Sequence, residues 1–176
     1  MMNKLLFVDD DCIIIRSYLN QVNWERLGVS EVYSATSGED AKELIRLHNP
    51  NILVSDIEMP GITGLELTKW IRQNGYNIKV IYLSAYDDFK YAQTAVHLNC
   101  IEYLLKPVTV EALSAAVESA IDTYDNELCR AEYATLAQYW IQNCNVVYER
   151  FWKSVLMGKI KTSEHINMEA AKNGVE

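Results

Sequence analysis

Along this chain, short apolar runs alternate with longer stretches in which apolar residues recur every three or four positions. Residues 4–8 (KLLFV) form such a run and stop at Asp9, Asp10 and Asp11, the pattern of a strand buried on both faces. Residues 13–22 have helical spacing and end at Asn23-Trp24, with Leu27-Gly28 as a turn. A weak, short strand is expected over 31–34. Ser37 then opens a helix whose inward positions are Ala41, Leu44, Ile45 and Leu47, stopped by Asn49-Pro50. Residues 52–55 make a third strand that ends at Asp56. Met59-Pro60-Gly61 and Gly64 mark a loop, and a helix follows over 65–73. A fourth strand at 79–83 ends at Ser84, Asp87-Asp88 starts a helix running to Leu98, and a fifth strand at 101–104 leads to Lys106-Pro107. From Thr109 the spacing stays helical almost to Gly158.

Five strand–helix units with short connections imply an α/β fold, a parallel sheet covered on both faces by helices. Right-handed crossovers leave few topologies, and in such sheets the site lies beyond the carboxyl ends of the strands. The residues at those ends are Asp9, Asp10, Asp56, Ser84 and Lys106. Three carboxylates brought together call for a cation, and hard oxygen donors suit Mg²⁺. Lys106 supplies a mobile point charge for a carboxylate or phosphoryl oxygen, and Ser84 a small hydroxyl. An aspartate held by this set could attack phosphorus and form an acyl phosphate. Each residue alone has a plainer explanation: helix N-caps for the acids, a turn for Ser84, a solvated surface charge for Lys106. Their arrival one by one behind separate strands is what favours a phosphoryl-transfer site.

Composition narrows the choice further. The 176 residues suffice for one α/β domain and a smaller appendage, and 49% apolar with 23% charged residues argues against disorder. Net charge is −8: up to Val108 there are 10 basic and 14 acidic residues, and beyond it 6 and 10. Both parts are acidic, so neither offers the basic stripe of a nucleic-acid-binding surface. Cys12, Cys100, Cys129 and Cys144 show no CxxC or zinc spacing and are expected to be buried or half-buried thiols in a reducing compartment. The start, MMNKLLFVDDD, is neither a signal peptide nor a membrane span, so a cytoplasmic protein is expected.

Four segments, LLFVDDD (5–11), ILVSDIEMPGITGLEL (52–67), VIYLSAYDDFKYA (80–92) and IEYLLKPV (101–108), resemble the receiver domain of two-component response regulators. The resemblance covers residues 3 to about 123 and implies a flavodoxin-like (CheY-like), doubly wound, five-stranded parallel sheet. It implies Asp56 as phosphoacceptor, Asp10 as a direct Mg²⁺ ligand, Asp9 as its acidic neighbour acting through metal-bound water, and the backbone carbonyl of Glu58 as a further ligand. Ser84 matches the switch hydroxyl, Lys106 the lysine that pairs with the phosphoryl group, and Tyr103 the aromatic switch position. The Lys106-Pro107 bond resembles one that is cis in the family. Asn99 stands where glycine is frequent, a small departure because Asn tolerates left-handed backbone. Glu58 and Tyr86 flank the site and are expected to affect phosphoryl lifetime. Such a domain is a phosphoacceptor and not an enzyme in the usual sense, apart from its own phosphotransfer and autodephosphorylation. It would take its phosphoryl group from a sensor histidine kinase.

NWERLG (23–28) and SAYDDFKYA (84–92) resemble the subgroup whose output is an AraC-type helix-turn-helix domain. Beyond the receiver, Leu113, Val117, Ile121, Tyr124 and Leu128 recur at three or four residues, and Leu136, Trp140, Cys144, Val147, Phe151 and Val155 continue after a change of register. With Tyr133, Tyr139, Tyr148 and Trp152, this stretch is unusually aromatic. It reads equally as a helical spacer or a homodimer contact. FWKSVLMGKI (151–160) loosely resembles the region before the DNA-binding domain, and the chain ends at Glu176 with no helix-turn-helix pattern. The expected organisation is therefore a receiver at 1–123, with 124–176 opening the connection to an absent output domain that alone would bind DNA. Two other readings compete. In a phosphatase of the haloacid dehalogenase type, Asp9 and Asp11 would form a DxD motif with Asp9 as nucleophile, but Asp87-Asp88 precede Lys106 where that class needs the reverse order. In a binding-only module, the acidic pocket would persist without being phosphorylated.

Overall fold

The computed structural model describes residues 3–85 and 89–156, with side chains except at Phe89, 137, 139–152 and 154–156. Two compact units result, Met1–Asn126 and Glu127–Glu176. The first contains β1 (Asn3–Val8), α1 (Cys12–Gln21), β2 (Val29–Ala35), α2 (Gly38–His48), β3 (Ile52–Asp56), α3 (Gly64–Gln73), β4 (Lys79–Ser84), α4 (Phe89–His97) and β5 (Glu102–Leu105). The long helix α5 (Val110–Leu156) follows. The strands are all parallel, in the order β2-β1-β3-β4-β5. The order reverses between β1 and β3, the doubly wound arrangement that puts a crevice at their carboxyl ends.

Alternation along the central strands fills two cores. Leu6 and Val8 of β1, Leu53 of β3 and Val80 and Tyr82 of β4 pack with Ala41, Ile45, Leu67, Ile71 and Ala95 under α2, α3 and α4. Leu5, Phe7, Ile52, Val54, Ile81 and Leu83 point the other way, onto Ile15 of α1 and Leu113, Ala116, Val117 and Ala120 of α5. Burial of each such leucine, isoleucine or valine contributes roughly 1.5–3 kcal/mol. β2 is longer than its weak signal suggests; as an edge strand paired only with β1, it buries just its two end residues.

Local chemistry sets the ends of the helices. Asp11 caps α1, its carboxylate accepting from the Ile13 amide. Ser37 caps α2, and Thr63 with Glu66 forms a reciprocal capping box on α3. Asn49 ends α2 in the left-handed region (φ 47°), and Asn99 adopts φ 54° before β5. Arg72 of α3 reaches across to the turn after α4 and the start of β4, donating to the carbonyls of Leu98 (3.3 Å), Ile78 (2.7 Å) and Asn99 (3.5 Å).

Two expectations are corrected. Leu47 is 75% exposed, on the outer face of α2. Among the described residues, Cys12 and Cys129 are exposed, against the expected burial, whereas Cys100 is half-buried as expected. In the second unit, Tyr133 and Leu136 of α5 are exposed. The expected helix start at Asp87-Asp88, together with Tyr86, lies outside the described residues. So do the side chains of Tyr139, Trp140, Cys144, Val147, Tyr148, Phe151, Trp152 and Val155, and everything after Leu156. Among the described residues, no helix is long and apolar enough to cross a membrane.

Candidate functional site

β1 hands its chain to the sheet edge at Val8, so Asp9 and Asp10 follow directly beyond the strand. Asp9 is fully buried and Asp10 exposed. One Asp9 oxygen accepts from the Asp11 amide (3.0 Å) and the other from Lys106 Nζ (2.7 Å). Of the three consecutive acids, only Asp11 has the capping role that could have explained them all. Asp56 closes β3 and is 8% exposed. Its Oδ2 accepts from Lys106 Nζ (2.8 Å) and its Oδ1 from the Glu58 amide (3.4 Å). Lys106 thus bridges the ends of β1 and β3 from beyond β5.

Several contacts fix that lysine. Its amide donates to the Ser84 carbonyl (2.7 Å), and the following Lys106-Pro107 bond is cis. Two residues on, the Val108 carbonyl accepts from the Tyr18 hydroxyl of α1 (2.8 Å). Ser84 itself is buried at the end of β4, beside Leu105. Tyr103 is half-buried on β5 and packs into the core that includes Ala95 of α4. Glu58 is exposed just past Asp56, and its carboxylate accepts from the Tyr91 hydroxyl of α4 (2.9 Å).

Carboxylate oxygens of Asp9, Asp10 and Asp56 lie within 4.8 Å of one another. Burial pushes the Asp9 carboxyl up from its ordinary value, and the Asp56 charge adds to this, against the opposing pull of Lys106 and the Asp11 amide. Burial works against the Lys106 ammonium, yet its bonds to Asp56 and Asp9 and their charges outweigh it and raise its pKa. One ammonium facing three carboxylates leaves negative charge uncompensated. A divalent cation with a preference for oxygen fits that donor set.

The floor of the site was not legible in the sequence. A Cβ at Gly64 would lie 2.1 Å from the Asp56 carbonyl oxygen and 2.8 Å from Ser55 Oγ, so α3 can start this close only from glycine. Ser55 Oγ donates to that same carbonyl (2.8 Å). One turn on, Thr68 donates to the Gly64 carbonyl (3.0 Å) and accepts from the buried Tyr82 hydroxyl (2.6 Å). Gly64 stood out only as a loop marker, and nothing in the spacing signalled Ser55, Thr68 or Tyr82 as partners.

Comparison with known proteins agrees with this geometry. Residues 5–118 match the family model of the response regulator receiver domain, and the chain belongs to that family. It is 35% identical over 120 residues to the transcriptional regulatory protein YesN of Bacillus subtilis, covering 68% of this chain and 33% of YesN. It is 29% identical over 168 residues to a response regulatory protein of Staphylococcus epidermidis, covering 93% of this chain and 65% of that protein. The chain therefore spans from a third to just under two thirds of these curated relatives. Among solved structures, the receiver domain of AraT, a response regulator from Geobacillus stearothermophilus, is 34% identical with a TM-score of 0.67, covering 73% of this chain and 99% of that one. A two-component transcriptional regulator AraC from Clostridium phytofermentans is 28% identical with a TM-score of 0.66, covering 70% and 96%. The five-stranded CheY-like fold and the long C-terminal helix expected from the sequence are both present. Family membership sets the dehalogenase-type reading aside.

Proposed function

We propose that Asp56 is the phosphoacceptor of this receiver, taking a phosphoryl group from a sensor histidine kinase and thereby switching dimerisation or output contact. The observation that carries this reading is the placement of Asp56 at the end of β3, bonded to Lys106 and grouped with Asp9 and Asp10. Asp9, Asp10, Asp56 and the backbone carbonyl of Glu58 would hold Mg²⁺, which when bound offsets the charge of the transferring group. Asp56 supplies the attacking oxygen, while Lys106 stands 2.8 Å away to pair with the new phosphoryl oxygens. Asp9, buried and bonded to both the Asp11 amide and Lys106, keeps that lysine in line rather than serving as nucleophile.

Phosphorylation adds roughly −1.5 to −2 charges and new acceptor oxygens. Ser84, at the end of β4, donates its hydroxyl to them, and Tyr103 on β5 follows inward, reshaping the face made by α4, β5 and α5. Moving such a switch from nearly off to nearly on takes about 5.5 kcal/mol of differential stabilisation. Residues 124–176 would link this receiver to an output domain, and through it a homodimer would regulate transcription from the cytoplasm. The names of YesN and of the AraC-type neighbour support that role.

Intact-mass spectrometry after incubation with Mg²⁺ and acetyl phosphate tests the reading. One phosphoryl adduct is expected on the wild type, absent without Mg²⁺ and absent in Asp56→Asn. An adduct that survives Asp56→Asn overturns it.

A further inference from the structure

Glu58 carries a carboxylate beside this site that the fold ties elsewhere. Its amide donates to Asp56 Oδ1 (3.4 Å), so its backbone belongs to the site. Its side chain does not: Oε1 accepts from the Tyr91 hydroxyl (2.9 Å), and among the described residues the group able to hold a metal comprises Asp9, Asp10 and Asp56 without Glu58. Glu58 is exposed, and its carboxylate reaches α4 through the Tyr91 hydroxyl. Tyr91, in contrast, is half-buried and packed against the core under α4, so its ring is the fixed partner and the glutamate the mobile one.

We infer that Tyr91 is a specificity-determining residue for the cation: it holds the Glu58 carboxylate out of the acidic pocket and so keeps the site at three carboxylates. The inference rests on the metal-binding reading above. Mg²⁺ demands near-ideal octahedral geometry, retains several waters and is satisfied by one or two carboxylates, whereas Ca²⁺ takes 6–8 oxygens in flexible arrangements. A fourth carboxylate free to swing in adds a ligand that Ca²⁺ can accept and Mg²⁺ has little room for. It also adds negative charge where an anionic phosphoryl donor must approach. Tethering Glu58 to α4 therefore favours the smaller ion without removing the backbone carbonyl that Glu58 contributes.

Tyr91 acts through Glu58, so the test is a set of variants read by calorimetric titration of the whole chain with Mg²⁺ alone and with Ca²⁺ alone. Tyr91→Phe keeps the packed ring and removes the hydroxyl that tethers Glu58. It should raise Ca²⁺ affinity by about tenfold and Mg²⁺ affinity by much less, as affinity in such sites follows ligand charge count. Tyr91→Phe/Glu58→Gln should lose the Ca²⁺ gain. Unchanged Ca²⁺ affinity in Tyr91→Phe, or a gain that persists in the double variant, overturns the inference while the phosphoacceptor reading stands. A wild type that binds no Mg²⁺ overturns the metal-binding reading and this inference with it.

Discussion

Replacing Gly64 with alanine sets two physical effects of opposite sign against each other. Gly64 is the first residue of α3, and helix propensity alone favours alanine there by up to about 1 kcal/mol. No left-handed backbone stands in the way, since among the described residues the positive-φ glycines are Gly28, Gly61 and Gly75. The obstacle is space: the new methyl would sit 2.1 Å from the Asp56 carbonyl oxygen. That oxygen belongs to the backbone of a buried strand and accepts from Ser55 Oγ, while the Gly64 amide is bonded to the Ile57 carbonyl (3.0 Å). Neither side can turn aside as a flexible side chain would, so α3 or the end of β3 must move. Overpacking of this kind costs roughly 1–3 kcal/mol, and more where backbone must shift, so a net loss of about 2 kcal/mol is expected. Urea denaturation of the whole chain reads this directly. Gly75→Ala is the control, with φ 75° and nothing within 4 Å of its Cβ, and should lose only about 1 kcal/mol to backbone strain. Because the displacement in Gly64→Ala falls on Asp56, phosphoryl acceptance should also drop, whereas Gly75→Ala should retain it. A Gly64→Ala protein as stable as the wild type would mean that the β3–α3 contact relaxes at no cost, against this expectation.

Other consequences follow from single contacts. Arg72→Ala strips a charged donor from three backbone carbonyls and should cost about 2–3 kcal/mol, read from the urea midpoint; Arg72→Lys should recover only part of it. Burial raises the Tyr82 phenol pKa far above the ordinary value of 10.0. Its neutral form is thus favoured by folding, a contribution present in full below pH about 10 and lost as pH rises toward the folded-state value, because the unfolded chain ionises first. Tyr82→Phe should be less stable at pH 7 for want of the Thr68 bond, yet its stability should fall less steeply than the wild type's between pH 9 and 11. Parallel slopes for the two proteins would contradict this.

The strand ends, where the site lies, were legible because each central strand is an apolar run stopped abruptly by polar residues. Asp9, Asp10, Asp56, Ser84 and Lys106 could be located by that rule without knowing which strands are neighbours. The sequence could not say that Lys106 bonds to both Asp9 and Asp56, because that follows from the β2-β1-β3-β4-β5 order and the loop after β5. Leu47 faces solvent despite its apolar side chain because two positions past Ile45 is about 200° around the helix, on the opposite face. The exposure of Cys12 and Cys129 shows that a thiol's average preference for burial decides little at a helix start or along a solvated helix. Gly64, Thr68, Tyr82 and Arg72 were invisible for another reason. Their partners are 14 to 27 residues away, or are backbone atoms that any sequence supplies.

On the reading proposed above, a phosphoryl group is carried on the side chain at the end of β3. An acyl phosphate can be trapped chemically: borohydride reduces the activated carboxyl carbon to an alcohol, leaving a mass-tagged residue that peptide mapping can locate. After treatment with Mg²⁺ and acetyl phosphate, the tag should appear at Asp56 alone, with Asp9 and Asp10 unmodified. A tag at Asp9 or Asp10, or a phosphorylated chain with none at Asp56, would contradict the account.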